Sequence, residues 1–114
     1  MAADRRSSWL KGVLDLLVLS RLTDGESYGY EIGRALAEAG LGEIKGGTLY
    51  PVLNRLEEGG LVEAEFRASE RGPGRRYYRL TASGRELLAA ESAAWRDFHR
   101  SVGTMLGPGG TTAP

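Results

Sequence analysis

The apolar pattern of this chain changes period twice, and that change constrains the fold more than any other feature. Through Glu58 the apolar residues recur at helical spacing. From Val62 to Leu80 they alternate in twos around Gly72-Pro73-Gly74. After Thr81 helical spacing resumes and holds to Leu106. A succession of helices, one hairpin and one long helix leaves few architectures open to 114 residues, which is the length of a single domain.

The first helix is predicted to start at Ser7 or Ser8 as caps and to end at Asp24-Gly25. Leu10, Val13, Leu14, Leu17 and Val18 make one stripe; Trp9, Leu16 and Leu19 lie on a second side. So wide an apolar arc requires cover on more than one side, which points to a partner subunit. Ser27 is predicted to cap a second helix running to about Ala39, with Ile32, Leu36 and Ala39 inward. A third helix is predicted from Thr48, as N-cap, to Glu58. Starting there puts Pro51 in the first turn, where a missing N–H costs little. Its buried face is Leu49, Val52, Leu53 and Leu56. Val62, Ala64 and Phe66 alternate with Glu63, Glu65 and Arg67 in a half-buried strand, and Arg76–Leu80 returns alongside it. Thr81 caps a fourth helix to about Leu106. On it Leu88, Trp95, Phe98, Val102 and Met105 or Leu106 form a coiled-coil-like seam interrupted at Glu91. The expected organisation is a flexible N-terminus over 1–8, a winged helix-turn-helix over 9–80, a C-terminal dimerisation helix over 81–106 and a disordered Gly/Pro/Thr-rich tail over 107–114. The expected fold class is mainly α with a small β-hairpin.

Composition removes whole classes of function. There is no cysteine and a single histidine, His99, so disulfides, thiolate metal sites and cysteine nucleophiles are out, and no metal or other cofactor is expected. Paired carboxylates in a cleft, a nucleophile–histidine pair and a phosphate-cradling loop are also missing, so no enzyme is expected. The longest apolar stretch, Val13 to Leu19, contains Asp15 and is far too short for a bilayer, and residues 1–8 are not followed by a signal-peptide core. A cytoplasmic protein without a membrane partner is expected. Net charge is zero, but unevenly spread. From Asp24 to Glu43 five acids face one base; from Arg67 to Arg79 five arginines face one acid. A local cationic surface of that kind attracts polyanions whatever the total.

Helices two and three form a helix-turn-helix able to place the third helix in a DNA major groove. Its outward face suits the task. Asn54 can read an adenine edge or meet a phosphate, Arg55 can reach guanine or phosphate, and the Thr48 and Tyr50 hydroxyls can donate to phosphates. Arg75 and Arg76 on the wing can enter an adjacent minor groove. Plainer readings stand beside these. Arg55 can pair with Glu57 or Glu58 instead; Tyr28 and Tyr30 read as packing residues; one of Tyr77 and Tyr78 belongs to the core; His99 reads as a surface or interface residue. A winged-helix protein-interaction module that never touches DNA is the alternative function, favoured by the acidic second helix.

Three blocks carry a resemblance: Tyr28-Gly29-Tyr30-Glu31-Ile32, the run from Gly47 to Glu57 reading Gly-Thr-Leu-Tyr-Pro-Val-Leu-Asn-Arg-Leu-Glu, and Arg76-Tyr77-Tyr78-Arg79-Leu80-Thr81. Over residues 9–106 the chain resembles the PadR family of bacterial transcriptional regulators, in its small subfamily with one long terminal helix. The resemblance implies a winged-helix homodimer on pseudo-palindromic operators, usually a repressor, with the first and last helices at the dimer interface. It implies double-stranded DNA contacts at Thr48, Tyr50, Asn54 and Arg55 and on the wing at Arg75 and Arg76. It also implies, for some members, release by a small aromatic or phenolic effector stacked on a last-helix tryptophan. Trp95 is similarly placed, and Trp9 is expected near the same interface; the plainer reading of both is ordinary dimer core. The sequence departs from the family pattern before Gly47, which is preceded by Glu43-Ile44-Lys45-Gly46, and at the wing, which reads Arg71-Gly72-Pro73-Gly74-Arg75.

Overall fold

In the computed structural model, residues 2–108 are described. The order is α1 (Ala2–Lys11), α2 (Leu14–Arg21) with a 3-10 turn Leu22–Asp24, β1 (Ser27–Tyr28), α3 (Gly29–Leu36) with a wide helical turn Ala37–Leu41, α4 (Gly46–Glu58), β2 (Val62–Arg67), β3 (Arg75–Leu80) and α5 (Ala82–Leu106). The three strands form one antiparallel sheet in the order β1-β3-β2. This is a winged helix followed by one long helix.

The first helix departs from expectation. Helix begins at Ala2, so Ser7 and Ser8 lie inside α1 rather than capping it, and the segment expected to be flexible is helical from Ala2 on. The helix then breaks at Gly12-Val13, where Gly12 N–H and Val13 N–H turn back to the carbonyls of Trp9 and Leu10. Glycine and a β-branched residue together are the weakest helix formers in the segment. The break lets α2 take its own direction into the core. There α3, α4 and α5 pack around it and bury Leu14, Leu16, Val18 and Leu19. The wide apolar arc is thus largely covered within one subunit. Trp9 is the exception, 65% exposed on α1. The expected disordered tail lies, from residue 109 on, outside the described residues.

Ser27 does not cap α3. It is fully buried, pairs with Tyr78 as part of β1, and its hydroxyl donates to Glu31 at 2.8 Å. Extended pairing with β3 has captured the backbone that a cap would need, and Tyr28 occupies the capping position. Nor does Thr48 cap α4. Thr48 and Leu49 both donate to the Lys45 carbonyl, so the helix starts at Gly46. Pro51 is therefore past the first turn, and its ring faces solvent. At the other end, Gly60 N–H donates to Glu57 and Leu61 N–H to Leu56, with Gly60 at φ 74°. This glycine-dependent stop satisfies the last carbonyls and turns the chain straight into β2.

Tyr78 is the core member of the tyrosine pair, 1% exposed, packed with Val18, Leu19, Ile32, Leu53 and Val62. Burial pushes its phenol pKa up. The start of α5 is locked onto the end of α4. Thr81 accepts from Gly84 N–H as expected of an N-cap, donates its hydroxyl to the Gly60 carbonyl at 2.6 Å, and donates its N–H to Leu61 at 3.1 Å. Gly84 is buried against this joint; a Cβ there would run into the Leu61 carbonyl oxygen. Gly84→Ala is therefore expected to destabilise the fold by about 1–3 kcal/mol despite its better helix propensity. Urea denaturation at fixed protein concentration checks this; a neutral or stabilising result would show that the joint is not tight.

Candidate nucleic-acid interface

The outward face of α4 is built by default. Leu49, Val52, Leu53 and Leu56 point into the core, which leaves Thr48, Pro51, Asn54, Arg55 and Glu58 exposed along one stripe. Arg55 makes no ion pair among the described residues; of the two acids near it on α4, Glu57 is paired with Arg76. Tyr50 sits at the side of the stripe, 47% exposed, with its ring lying across the backbone of Gly29, where a Cβ would collide with it. A side chain at Gly29 would displace the hydroxyl end of Tyr50 from this position. Tyr30, read from the sequence as a packing residue, is 66% exposed beside it.

The wing lies next to this face. Tyr28, Tyr30, Tyr50, Arg75 and Arg76 line one shallow groove of about 230 Å³. The two arginines behave differently there. Arg76 forms an ion pair with Glu57 of α4 at 2.6 Å, and that partner holds its pKa up. Arg75 makes no ion pair; its guanidinium lies 4.3 Å over the Tyr28 ring. Arg67 pairs with Glu26 at 2.8 Å and with Glu65 at 3.2 Å, and Arg79 pairs with Glu63 at 3.0 Å. The Arg67 guanidinium likewise pushes the Glu26 carboxyl below the usual carboxylate range. Three of the five arginines that made the hairpin look cationic are thus neutralised by Glu57, Glu26 and the acids of β2. The count along the sequence missed this because Glu63 and Glu65 precede Arg67 in the chain but stand opposite Arg79 and Tyr77 in the sheet. Arg71 and Arg75 are left without an ion pair among the described residues, together with Arg55 and with Lys45 at the start of α4. Lys45 is absent from the expected contacts because the sequence places the start of α4 later.

Far from this face, α5 projects beyond the core. Leu87 and Leu88 pack inward, but Trp95, Phe98, Val102, Met105 and Leu106 are exposed in the single chain. Trp95 stacks on His99 with ring centres 5.1 Å apart. Trp9, Val13, Trp95, Phe98 and His99 line a mostly apolar concavity of about 720 Å³ between α1 and α5. The two tryptophans singled out in the sequence are brought together.

Comparison with known proteins agrees with this geometry. The family model of the transcriptional regulator PadR-like family matches residues 18–90. The chain belongs to the PadR-like family. It is a transcriptional regulator rather than an enzyme. Over 92 residues it is 35% identical to the transcriptional regulator Rv3488 of Mycobacterium tuberculosis, covering 81% of this chain and 84% of that protein. A PadR family transcriptional regulator from Eggerthella lenta has a similar structure, with TM-score 0.78 and 35% identity over 96% of this chain and 91% of the other. A PadR-like transcriptional regulator from Bacillus cereus gives TM-score 0.77 and 34% identity, over 89% and 98%.

In this PadR-like chain the Arg76–Glu57 pair ties the wing to α4 at the surface, beside the apolar packing of Val62 and Tyr78 on Leu53. Its value is positional, since exposed ion pairs add little to global stability. Glu57→Gln should leave the melting temperature nearly unchanged but accelerate amide hydrogen exchange in residues 62–67 and 75–80 relative to α5. Equal protection in both proteins would show that the pair does not hold the wing.

Proposed function

We propose that two copies of this chain form a homodimer that represses transcription from pseudo-palindromic operators. Each copy sets α4 in the major groove and its wing in the adjacent minor groove. The observation that carries the reading is the exposed stripe of α4, with Asn54 and an unpaired Arg55, flanked by a wing arginine whose charge is not spent on a carboxylate. Asn54 and Arg55 would meet base edges or phosphates, and Thr48 and Tyr50 phosphates. Arg75 would enter the minor groove, while Arg76 sits on the same groove with its charge shared with Glu57. Lys45 and Arg71 would add phosphate contacts. With so few uncommitted cations on this face, salt sensitivity should be set by these residues and not by the full arginine count.

The dimer reading is supported by the uncovered apolar face of α5, where Trp95, Phe98, Val102, Met105 and Leu106 are exposed together; exposed apolar patches mark interaction sites. Pairing along α5 would bury Trp95, Phe98 and Val102 and set two recognition helices about 34 Å apart, matching half-sites one turn apart. A small planar aromatic effector would fit the concavity between Trp9 and Trp95, and would release DNA by favouring a dimer with different helix spacing.

Selection of bound sequences from random duplex DNA tests the central claim: a two-fold motif with half-sites one turn apart is expected, and recovery of no motif would overturn it. Asn54→Ala should cost about 1–3 kcal/mol at one base position and leave other positions unchanged. Arg75→Ala should weaken all sequences and flatten the dependence of log K on log salt by about one unit per subunit. An unchanged slope would remove Arg75 from the contact set. For the effector, quenching of tryptophan fluorescence by planar aromatic compounds is expected in the wild type and should be lost or much reduced in Trp95→Ala. An identical response in both would place any ligand elsewhere.

A further inference from the structure

β1 is only two residues long, yet it places an aromatic ring under the wing arginine. Tyr28 pairs with Tyr77 across the sheet, and the two rings meet edge to face at 5.3 Å. The guanidinium of Arg75 covers the Tyr28 ring at 4.3 Å, and that of Arg67 covers the Tyr77 ring at the same distance. Arg67 is itself held by Glu26, just before β1. A ladder results: Glu26, Arg67, Tyr77, Tyr28, Arg75. Its inner end is closed by a carboxylate. Its outer end is a guanidinium with an open side.

We infer that Tyr28 is a positioning residue for DNA binding, which holds Arg75 by its face so that its N–H edge stays free for the groove. This rests on the reading that Arg75 meets DNA. The two ways of holding an arginine differ in what they leave over. A carboxylate takes the in-plane N–H donors, and those are the donors that phosphates and base edges need. An aromatic ring takes the face and leaves all five donors. Arg76, one residue on, is held in the first way by Glu57. Arg75 is held in the second. A long side chain already fixed in one direction loses less freedom on binding, so pre-ordering raises affinity without adding a contact. The Tyr28 hydroxyl plays no part in this.

The test uses the full-length protein and a labelled duplex carrying its selected operator, with affinity read by fluorescence anisotropy. Tyr28→Phe should bind within about twofold of wild type. Tyr28→Leu should bind about five- to thirty-fold more weakly, the product of a modest loss at each of two subunits. In an Arg75→Ala background, Tyr28→Leu should cause no further loss. Since Leu can disturb the sheet edge, a second series keeps the shape: phenylalanine at residue 28 carrying one to five ring fluorines, which removes the negative face stepwise. Affinity should fall stepwise with fluorination, and should not do so when Arg75 is Ala. Loss in Tyr28→Phe would assign the effect to a hydroxyl contact with DNA and overturn the inference. So would a flat fluorination series, or additive losses in the double variant, while the DNA reading stood. If Arg75→Ala alone left affinity unchanged, the groove assignment of Arg75 would fall and this inference with it.

Discussion

The geometry of the molecule hangs on Thr81. One short side chain closes the α4 end, the hairpin and the α5 start into a single joint, donating to Gly60 and accepting from Gly84, while its own N–H reaches Leu61. Gly84 lets the α5 backbone sit against that turn with no side chain between. The left-handed Gly60 ends α4 at the one point from which both β2 and the joint can be reached. A long helix whose first turn is fixed to the end of α4 moves with it. In the proposed dimer, spacing between the two DNA-reading faces is therefore governed by how two α5 helices pair, with little slack between the cause and its effect.

Charge follows a similar economy. A chain of zero net charge can still bind a polyanion if its cations are unequal in availability. Arg67, Arg76 and Arg79 bind carboxylates and hold the wing in shape. Arg55, Arg71, Arg75 and Lys45 carry no such partner among the described residues. Glu26, Glu57, Glu63 and Glu65 take up Arg67, Arg76 and Arg79. The paired set fixes the surface; the unpaired set gives it its field.

The period of the apolar pattern made the architecture legible, because core burial enforces it: the α4 stripe and the Thr81 cap stand where the sequence puts them, whereas the β2 alternation holds at Val62 and Ala64 and fails at Phe66, which is 63% exposed toward the hairpin tip. What was hidden was decided by partners distant in the chain. Ser27 looks like a cap, but pairing with Tyr78, far along the sequence, makes it strand. Thr48 looks like a cap, but Gly46 and Gly47 are helical before it, and no local rule favours glycine there. The wide apolar face of the first helix suggested a second subunit, yet a break at Gly12-Val13 lets one subunit cover most of it. For the candidate interface, Thr48, Tyr50, Asn54, Arg55 and Arg75 were proposed from pattern, and all reach the surface. The difference between Arg75 and Arg76 was not legible, because it depends on which face of β3 is turned toward α4 and which carries the Tyr28 and Tyr77 rings. The positioning role inferred for Tyr28 depends on the same fact.

The concavity between α1 and α5 also has a route to α4 that does not pass through the Thr81 joint. Arg6 of α1 donates to the Gly40 carbonyl at 2.5 Å, in the turn that leads from α3 toward α4. Gly40 has φ 94°, so this turn is held in a conformation that other residues rarely adopt. Trp9, one turn on from Arg6, lines the same concavity as Trp95. In the effector reading proposed above, a ligand seated against Trp9 would therefore lie on a helix that is hydrogen-bonded to the entry of the helix-turn-helix. Such a ligand could act within one subunit, by shifting α4 against its wing, as well as between subunits through α5. In either case it is effective only to the extent that it binds the two arrangements unequally.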